Sequence, residues 1–328
     1  MGYSRKKETR FTVGYTKLTD DAGPEDTGVG IRQGRKEKAG ENRRGMGDIL
    51  EMLAAHARER VAEKKRLCPL TELKARLRDE GAQHSTALAQ TNAADAHPDP
   101  AAAAGFPFEQ ALSGPGIHFI CECKKASPSR GLIAPDFPYL EIARAYEAAG
   151  ASAISVLTEP GWFLGEDRFL KEIASAVRIP CLRKDFTVDP YMIYEAKILG
   201  ASAVLLICAI LEDEELREYL ALAHALGLSA LVETHDAAEI RRALEAGARM
   251  IGVNNRDLRT FQVDIGNSVR LRSLVPADRI FVSESGIRTP EDVAALYRNG
   301  TNAVLIGETL MRSPDKKAQL DELRSRCN

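Results

Sequence analysis

Residues 180–208 read PCLRKDFTVDPYMIYEAKILGASAVLLIC, and they hold one complete strand–helix–strand unit. The run 180–185 is short and apolar at its start, which is typical of a buried strand. Asp189-Pro190 then places a capping side chain before a proline at the first helical position. Gly200 closes the helix as a left-handed cap, and a second apolar run follows at 203–208. The stretch therefore predicts two parallel strands joined by a helix.

The same unit recurs along the chain from residue 117 onward. Eight β-rich runs are present, at 118–123, 152–158, 180–185, 203–208, 229–234, 249–254, 279–284 and 302–306. The segments that precede five of these runs each end in glycine, at Gly150, Gly200, Gly227, Gly247 and Gly300. Eight strands alternating with helices predict an α/β protein built as a (β/α)8 TIM barrel. An open doubly wound sheet is the alternative, but no G-x-G-x-x-G follows the first strand.

The residues before the barrel divide into three parts. Residues 1–47 are rich in charged residues and glycine and contain few large apolar residues, so we expect a disordered N-terminal tail. Leucines recur at near-helical spacing from residue 48, which predicts extra N-terminal helices at about 48–66 and 70–79. Residues 81–105 have no apolar period and are expected to form a loop. We therefore expect a single barrel domain over 48–328 that includes these helices and this loop.

Composition limits the classes of partner and the location. The chain has 45 basic and 47 acidic residues, a formal charge of −2, which gives no reason to expect a nucleic-acid or membrane partner. The longest apolar run has nine residues, from Ala203 to Leu211, whereas a membrane span needs roughly 20. Six cysteines occur without a C-x-x-C pair, which favours a reducing, cytoplasmic location. Cys121 and Cys123 are expected to be buried, with a metal pair as the alternative.

Polar side chains stand where the predicted strands end, which in a barrel is the face that carries the active site. In the first strand, Glu122 and Lys124 share one face because side chains alternate. We expect this pair to face the barrel mouth, with a structural salt bridge as the alternative. Charged, amide or hydroxyl groups also follow the apolar runs of other strands: Lys184, Glu233, Asn254, Arg256, Glu284 and Ser285. Capping of the next helix does not explain so many at one rim.

Two of these strand ends also carry glycine. Gly286 follows the seventh strand, and Gly307-Glu308 follows the eighth. Loops at these positions often hold phosphate through backbone N–H groups. Either glycine alone is a weak signal, because a tight turn explains it equally well. Together they predict a phosphate site.

The ordered series of these motifs resembles the indole-3-glycerol-phosphate synthase family over roughly residues 48–313. The first-strand run Glu122-x-Lys124-x-x-Ser127-Pro128-Ser129-x-Gly131 is similar to that family's signature. Further matches in order are Leu157-Thr158-Glu159, Lys184-Asp185-Phe186, Leu231-Val232-Glu233, Gly252-Val253-Asn254-Asn255-Arg256-Asp257-Leu258, Ser283-Glu284-Ser285-Gly286-Ile287 and Leu305-Ile306-Gly307. A single motif such as Ser-Gly-Ile is shared with other phosphate barrels, but the whole series is not.

The resemblance implies a lyase of tryptophan biosynthesis that acts on 1-(2-carboxyphenylamino)-1-deoxyribulose 5-phosphate. Such an enzyme joins the ribulose carbonyl carbon to the ring carbon bearing the carboxylate, loses CO₂, and then loses water to give indole-3-glycerol phosphate. The resemblance implies no cofactor and no metal. The expected partner is this anionic small-molecule phosphate, and the expected state is a monomer or weak homodimer.

The resemblance also implies roles for single residues. Lys184 matches the general acid, Glu233 the base of dehydration, and Lys124 the lysine that holds the carboxylate and is oriented by Glu122. Asn254 and Ser285 match the family's polar residues that position the substrate. Gly286, Gly307 and Glu308 match its phosphate-binding turns. Ser127, Arg256 and Glu284 are expected to bind substrate as well. A lysine whose pKa is lowered by neighbouring cations would suit the proton donor.

Two features of the loops after the strands have further expected roles. Trp162 and Phe163 are expected to cover the anthranilate ring, with loop packing as the alternative. His235 is expected to be a turn or helix-start residue.

Two other functions stay open: a different phosphate barrel, similar to phosphoribosyl-anthranilate isomerase, and a non-catalytic scaffold. The first would not need lysines on strands 1 and 3 together with glutamates on strands 1, 5 and 7. The second should have lost part of the set Lys124, Lys184 and Glu233.

Overall fold

The computed structural model describes residues 49–79, 105–257 and 260–327. Eight parallel strands close into a barrel: β1 His118–Cys123, β2 Ala153–Leu157, β3 Cys181–Lys184, β4 Ala203–Ile207, β5 Ser229–Thr234, β6 Met250–Asn254, β7 Ile280–Glu284 and β8 Ala303–Ile306. Each strand pairs with its neighbours in the sequence, and β8 pairs with β1. The predicted (β/α)8 fold is confirmed, with strand bounds within one residue of those expected. The predicted tail 1–47 and nearly all of the loop 81–105 lie outside the described residues.

Helices precede the barrel and connect its strands. Before β1 lie α1 Ile49–Leu67, a helix that begins at residue 70 and is described through residue 79 (α2), and α3 Pro107–Ala111. The others are α4 Tyr139–Ala148, α5 Asp167–Ala176, α6 Pro190–Ile198, α7 Asp213–Ala225, α8 Ala237–Glu245, α9 Gly266–Leu271, α10 Pro290–Arg298, α11 Glu308–Arg312 and α12 Lys316–Arg324. Two short strands, Ala126–Ser127 and Gly131–Leu132, pair in the loop after β1. None of the described helices is long and apolar enough to cross a membrane.

The predicted helix ends are confirmed. The Asp189 side chain accepts from the Tyr191 N–H, and Thr289 forms a capping box with Asp292. Gly150, Gly200, Gly227, Gly247 and Gly300 all have φ between 68° and 89°. In this left-handed region a Cβ would add strain, so glycine sets the point where each helix turns into the next strand.

Apolar side chains form two layers that the strands separate. The outer layer packs the strands against the helices and contains Cys121 and Cys123, both buried. The inner layer fills the barrel with residues such as Ile120, Leu182 and Leu231. The two cysteines therefore face the helices as expected, and the alternation along β1 turns Glu122 toward the inside.

The first helix packs against the barrel through both apolar and charged contacts. Leu53, Ala54, Ala57 and Val61 are buried on one face of α1. Lys64, on the same helix, makes ion pairs with Asp167 and Glu195. This arrangement confirms the leading helices as an extra element of the barrel and places the start of α1 at the barrel mouth.

A short helix that the sequence did not predict closes the opposite end of the barrel. Phe108 on α3 and Leu112 just after it are fully buried among the inner-layer residues. Glu109 of α3 pairs at 2.8 Å with Arg249, which directly precedes β6. The helix has only five residues, so it is too short to show a helical period in the sequence.

Candidate active site

The carboxyl ends of the strands surround one cavity at the barrel mouth. The structure places every predicted site residue on its wall: Glu122, Lys124, Ser127, Lys184, Glu233, Asn254, Arg256, Glu284, Ser285, Gly286, Gly307 and Glu308. Apolar side chains complete the wall, among them Ile49 and Leu53 of α1, Phe163, Phe186 and Leu205. The cavity thus combines an apolar lining with a small set of charged groups, as ligand sites commonly do.

Glu122 and Lys124 form an ion pair at the end of β1. Lys124 Nζ lies 2.7 Å from Glu122 Oε1, and Ser155 Oγ donates to the other carboxylate oxygen at 3.4 Å. Burial opposes ionisation of Glu122, but Lys124 and Lys184 outweigh it and lower the pKa of this carboxyl. A Cβ at Gly307 would collide with the Glu122 carboxylate and lie 2.9 Å from Lys124 Nζ. Glycine at position 307 is therefore required for this pair to reach the mouth.

Lys184 stands among three carboxylates. Its Nζ donates to Glu233 Oε2 at 3.4 Å and lies 3.8 Å from Glu284 Oε2. Burial alone would lower the pKa of Lys184, but Glu233, Glu284 and Glu122 together raise it well above its ordinary value. The expectation of a lysine with a lowered pKa is therefore wrong. The reason is that carboxylates, rather than cations, are the closest charges to the ammonium.

Glu233 is held from two sides. Asn254 Nδ2 donates to its Oε1 at 3.1 Å, while Lys184 faces Oε2. Burial opposes ionisation, but Lys184, His235 and the Asn254 hydrogen bond lower the pKa of Glu233. The carboxylate is thus ionised at neutral pH and oriented toward the cavity.

Glu284 differs from the other two carboxyls. Burial and the nearby Glu233 charge raise its pKa to about 8, despite the opposing effect of Lys184. The side chain is therefore largely protonated at neutral pH, and Lys124 and Lys184 then face the two anions Glu122 and Glu233. Its buried Oε1 has no hydrogen-bond partner in the described part of the chain. A Cβ at Gly252 would collide with this oxygen, so the glycine on β6 makes room for it.

The turns after β7 and β8 lie at the end of the cavity where arginines gather. Ser285 and Gly286 have left-handed backbone, with φ of 69° and 84°. Ser285 is not glycine, and such strain at a strand end is common in functional sites. Arg256 and Arg288 line the cavity beside these turns. Burial lowers the pKa of Arg256, and the neighbouring Arg130 and Arg288 contribute to this shift.

The side chain of Glu308, beside the turn after β8, is held by two arginines. Its carboxylate pairs with Arg130 at 3.1 Å and with Arg312 at 3.2 Å. A carboxylate also repels a phosphate. The part of Glu308 that suits an anion is therefore its backbone N–H, in the turn that starts α11.

The aromatic residues after β2 separate into two roles. Phe163 lines the cavity and lies 6.2 Å from Phe186 between ring centres. Trp162 instead packs edge-on against His56 of α1, with ring centres 5.0 Å apart, and is not part of the cavity wall. Glu159 fixes this loop by accepting from the backbone N–H groups of residues 161, 162 and 163. Of the two aromatic residues expected to cover a ring, only Phe163 is in place to do so.

Several residues at the mouth were not identified from the sequence. Arg288 directly follows the Ser-Gly-Ile run, and Arg130 lies inside the first-strand motif, so their positions were a signal that went unused. Ile49 and Leu53 carried no such signal, because their place depends on how α1 docks. His235 was expected to be a turn or helix-start residue, but its Nε2 also lies 3.5 Å from Glu233 Oε1.

The described residues contain no group of three or more His, Cys, Asp or Glu side chains placed to hold a metal ion. The reactive groups present are those of acid–base chemistry: two lysines, two ionised carboxylates and one neutral carboxyl. A closed parallel barrel with these groups around one cavity defines a barrel enzyme equipped for acid–base chemistry.

Comparison with known proteins gives the family. The family model described as "Indole-3-glycerol phosphate synthase" matches residues 50–323. The indole-3-glycerol phosphate synthase of Ruminiclostridium cellulolyticum is 62% identical over 219 residues, which are 67% of this chain and 84% of the relative. That of Lachnoclostridium phytofermentans is 48% identical over 277 residues, covering 84% of this chain and 99% of the relative. The chain belongs to the indole-3-glycerol phosphate synthase family. It is accordingly a decarboxylating lyase of tryptophan biosynthesis that acts on a phosphorylated small molecule.

Solved structures of more distant proteins share the fold alone. 3-Hexulose-6-phosphate synthase from Salmonella typhimurium superposes with a TM-score of 0.53 at 14% identity, over 64% of this chain and 97% of that chain. Because the chain belongs to this family, the two alternatives that the sequence left open, the isomerase-like barrel and the non-catalytic scaffold, are excluded.

Proposed function

We propose that Lys184 is the general acid of ring closure and Glu233 the base of the dehydration that follows. One observation carries the assignment: Lys184 Nζ and Glu233 Oε2 lie 3.4 Å apart in a largely apolar cavity that α1 partly covers. Proton donor and proton acceptor thus lie at the ends of β3 and β5, on either side of β4, and face the same space. Groups fixed in this way act without reorganisation when the reacting charge develops.

The first bond formation needs a proton. When the ring carbon attacks the ribulose carbonyl carbon, the carbonyl oxygen becomes an alkoxide. The raised pKa of Lys184 keeps its ammonium charged before the reaction, and a developing alkoxide is basic enough to take the proton. The carbon–carboxylate bond then breaks, CO₂ leaves, and the electron pair restores the aromatic ring.

The dehydration step needs a proton donor and a base together. Hydroxide leaves with a second proton, and a C–H proton is removed as the indole forms. The lowered pKa of Glu233 keeps its carboxylate free to accept that proton. We propose that Asn254 holds this carboxylate through its 3.1 Å hydrogen bond, so Asn254 acts on the reaction through Glu233.

Anion binding falls to the residues at both sides of the mouth. We propose that Gly286, Gly307 and the Glu308 N–H bind the phosphate, with Arg256 and Arg288 supplying charge. Lys124 lies against Gly307, so its ammonium meets the substrate's negative charge at this side, while Glu122 fixes its position. Ser127, Ser285 and the neutral Glu284 are placed to hydrogen-bond the sugar hydroxyls and the anilino group. Phe163 and Phe186 provide the apolar wall for the aromatic ring.

Indole fluorescence after incubation with the carboxyphenylamino-deoxyribulose phosphate tests the role assignment directly. In single-turnover experiments the wild type should form the fluorescent product, and Lys184→Ala should bind substrate without forming it. Product formation by Lys184→Ala at near-normal rate would overturn the assignment of the acid.

We also propose that the protein is a cytoplasmic monomer or weak dimer. All six cysteines are free thiols, four of them buried, which supports a reducing environment. The exposed large apolar residues among those described are scattered over helices and loops, so they do not favour an extensive permanent interface. Sedimentation equilibrium at several protein concentrations measures the oligomeric state.

A further inference from the structure

His235 connects the active-site cavity to a second cleft behind it. The cleft opens between the start of α1 and the loops after β5 and β6, and His235, Asp236 and Glu239 form one side of it. Glu233 lines only the first cavity, whereas His235 and Glu239 line only the second. The contact between Glu233 and His235 therefore crosses the wall that separates the two spaces.

The imidazole is held in one orientation. Its Nδ1 lies 3.1 Å from Glu239 Oε2, and the His235 backbone N–H donates to the same oxygen at 2.7 Å. Asn267 Nδ2 donates to the His235 carbonyl oxygen at 3.0 Å. The buried Nε2 has no hydrogen-bond partner among the described residues and points to Glu233 Oε1 at 3.5 Å. A ring fixed at Nδ1 and open at Nε2 presents that nitrogen to Glu233.

The charges around the ring favour its protonated form. Burial alone would lower the pKa of His235, but its hydrogen bond to Glu239 and the charges of Glu233 and Glu239 raise it. The charged or titratable residues that face the ring or share its cleft are Glu233 on β5, Asp236 and Glu239 at α8, Glu284 on β7, Glu51 on α1, Arg256, Asp257 and Asp264 after β6, and Arg270 on α9. Acidic groups outnumber the two arginines.

The reaction has a proton balance that the catalytic pair cannot close by itself. Ring closure places one proton on the carbonyl oxygen, and CO₂ leaves without one. Dehydration then takes a second proton with the leaving hydroxide and returns one from carbon. Two protons leave the protein and one comes back, so each turnover takes one proton from solvent. If Lys184 donates both, it must be recharged while the intermediate still occupies the mouth.

We propose that His235 relays this solvent proton from the second cleft to Glu233, from which it passes to Lys184. The inference rests on the proposed roles of Lys184 and Glu233. The Nε2–H bond breaks as an O–H bond forms at Glu233 Oε1, which leaves a neutral imidazole with its remaining proton at Nδ1. The ring then turns so that Nε2 faces the cleft, takes a proton from water there, and returns to its position beside Glu233. The protonated carboxyl then turns and gives its proton to the neutral amine of Lys184 across 3.4 Å. His235 acts through Glu233 and does not touch the substrate.

The test compares His235→Gln and His235→Ala with the matched control His224→Gln. His224 packs against Phe106 on another side of the barrel and lines neither cavity. A glutamine at position 235 still fills the space and forms hydrogen bonds but does not relay protons. We expect kcat to fall at least about tenfold for His235→Gln, with KM within about twofold of wild type. The control should keep wild-type kcat.

Rescue by added imidazole separates a relay from a structural role. Free imidazole should restore kcat of His235→Ala in proportion to its concentration, and substituted imidazoles should do so in the order of their pKa values. The imidazole rescue of His235→Ala also tests the relay if His235→Gln folds poorly. Retention of more than about half of kcat by His235→Gln, a loss expressed in KM alone, or no response of His235→Ala to imidazole would each overturn the relay. Lys184→Ala is measured in parallel to separate the two proposals. An active Lys184→Ala overturns the role assignment. An inactive Lys184→Ala together with His235 variants that keep wild-type kcat overturns only the relay.

Discussion

The guanidinium of Arg60 donates to both carboxylate oxygens of Asp185, at 2.7 Å and 3.3 Å. Asp185 is fully buried, directly follows Lys184, and also accepts from Thr158 Oγ1 at 2.7 Å. Burial would raise the pKa of Asp185, but Arg60 and Arg183 outweigh it and keep the carboxylate ionised. The first helix is thereby joined to the residue beside the proposed general acid.

Arg60→Met should lower both stability and turnover. The change leaves the buried Asp185 carboxylate with less compensation, and removing one partner of such a pair costs about 3 kcal/mol. Turnover should fall because α1 and Lys184 lose their common anchor. Urea denaturation and initial rates measure the two effects, with exposed Arg66→Met on the same helix as the control. Equal free energies of unfolding and equal initial rates for the two variants would show that the ion pair neither stabilises the fold nor positions Lys184.

Lys184→Ala should reduce kcat by at least about 10²-fold, the low end for loss of a general acid. The fold should persist, because the removed chain ends in the cavity rather than in the packed layers. Exposed Lys171→Ala is the matched control and should keep wild-type rates. The steady-state assay follows indole fluorescence. A purified Lys184→Ala that is folded and nearly as active as wild type contradicts the assignment.

Glu233→Gln should slow dehydration more than ring closure. The amide keeps the shape of the carboxylate but accepts no proton. Rapid quenching followed by mass spectrometry should then detect a decarboxylated intermediate that still carries the hydroxyl group. Glu218→Gln, on the exposed face of α7, should show no such species. Accumulation of unreacted substrate instead would place the role of Glu233 before the loss of CO₂.

Inorganic phosphate should compete with substrate at the turns after β7 and β8. Arg256→Met removes one charge from this side of the cavity, so the inhibition constant for phosphate should rise about tenfold, the effect of losing a charge-assisted hydrogen bond. Exposed Arg217→Met provides the comparison. Initial rates at several phosphate concentrations give the constants. Non-competitive inhibition, or equal constants for both variants, would exclude these turns as the phosphate site.

Glu284→Gln should change how stability depends on pH. The folded-state pKa of Glu284 is about 8, above the ordinary value of 4.5, so its contribution is fully present below pH 4.5 and is lost as pH rises through 8. Glutamine mimics the protonated carboxyl, so the variant should gain stability relative to wild type over this window, by at most about 1.4 kcal/mol per pH unit. Above pH 8 the difference should be constant. Thermal melts from pH 5 to 9 test this, with Glu245→Gln as the control. A difference that does not vary with pH would mean that Glu284 titrates normally.

The repeating pattern of the chain was sufficient to predict the barrel. Each strand end, helix cap and closing glycine is a local signal, and in residues 180–208 all of them agree. The side chains at the carboxyl ends could be predicted to meet because closed parallel strands bring those ends together. The clustering of Glu122, Lys184 and Glu233 follows from this topology alone.

What the sequence did not predict depends on contacts between distant segments. The raised pKa of Lys184 is set by three carboxylates from other strands, whose distances no spacing rule gives. The position of Trp162 depends on where His56 lies after α1 has docked. The contact of His235 with Glu233 follows from the turn after β5, which directs the imidazole back toward the strand end. The docking of α3 under the barrel left no periodic trace because the helix is so short.

The position of α3 constrains how molecules pass through the enzyme. Phe108 and Leu112 fill the far end of the barrel, so in the part of the chain that the structure describes, ligands enter and leave at the mouth. Carbon dioxide is released while the phosphorylated intermediate still occupies the barrel mouth. It therefore has to diffuse out past the bound intermediate. Bulkier side chains around the mouth would then retain CO₂ beside the newly formed ring. The width of the mouth therefore governs the release of CO₂ as well as the entry of substrate.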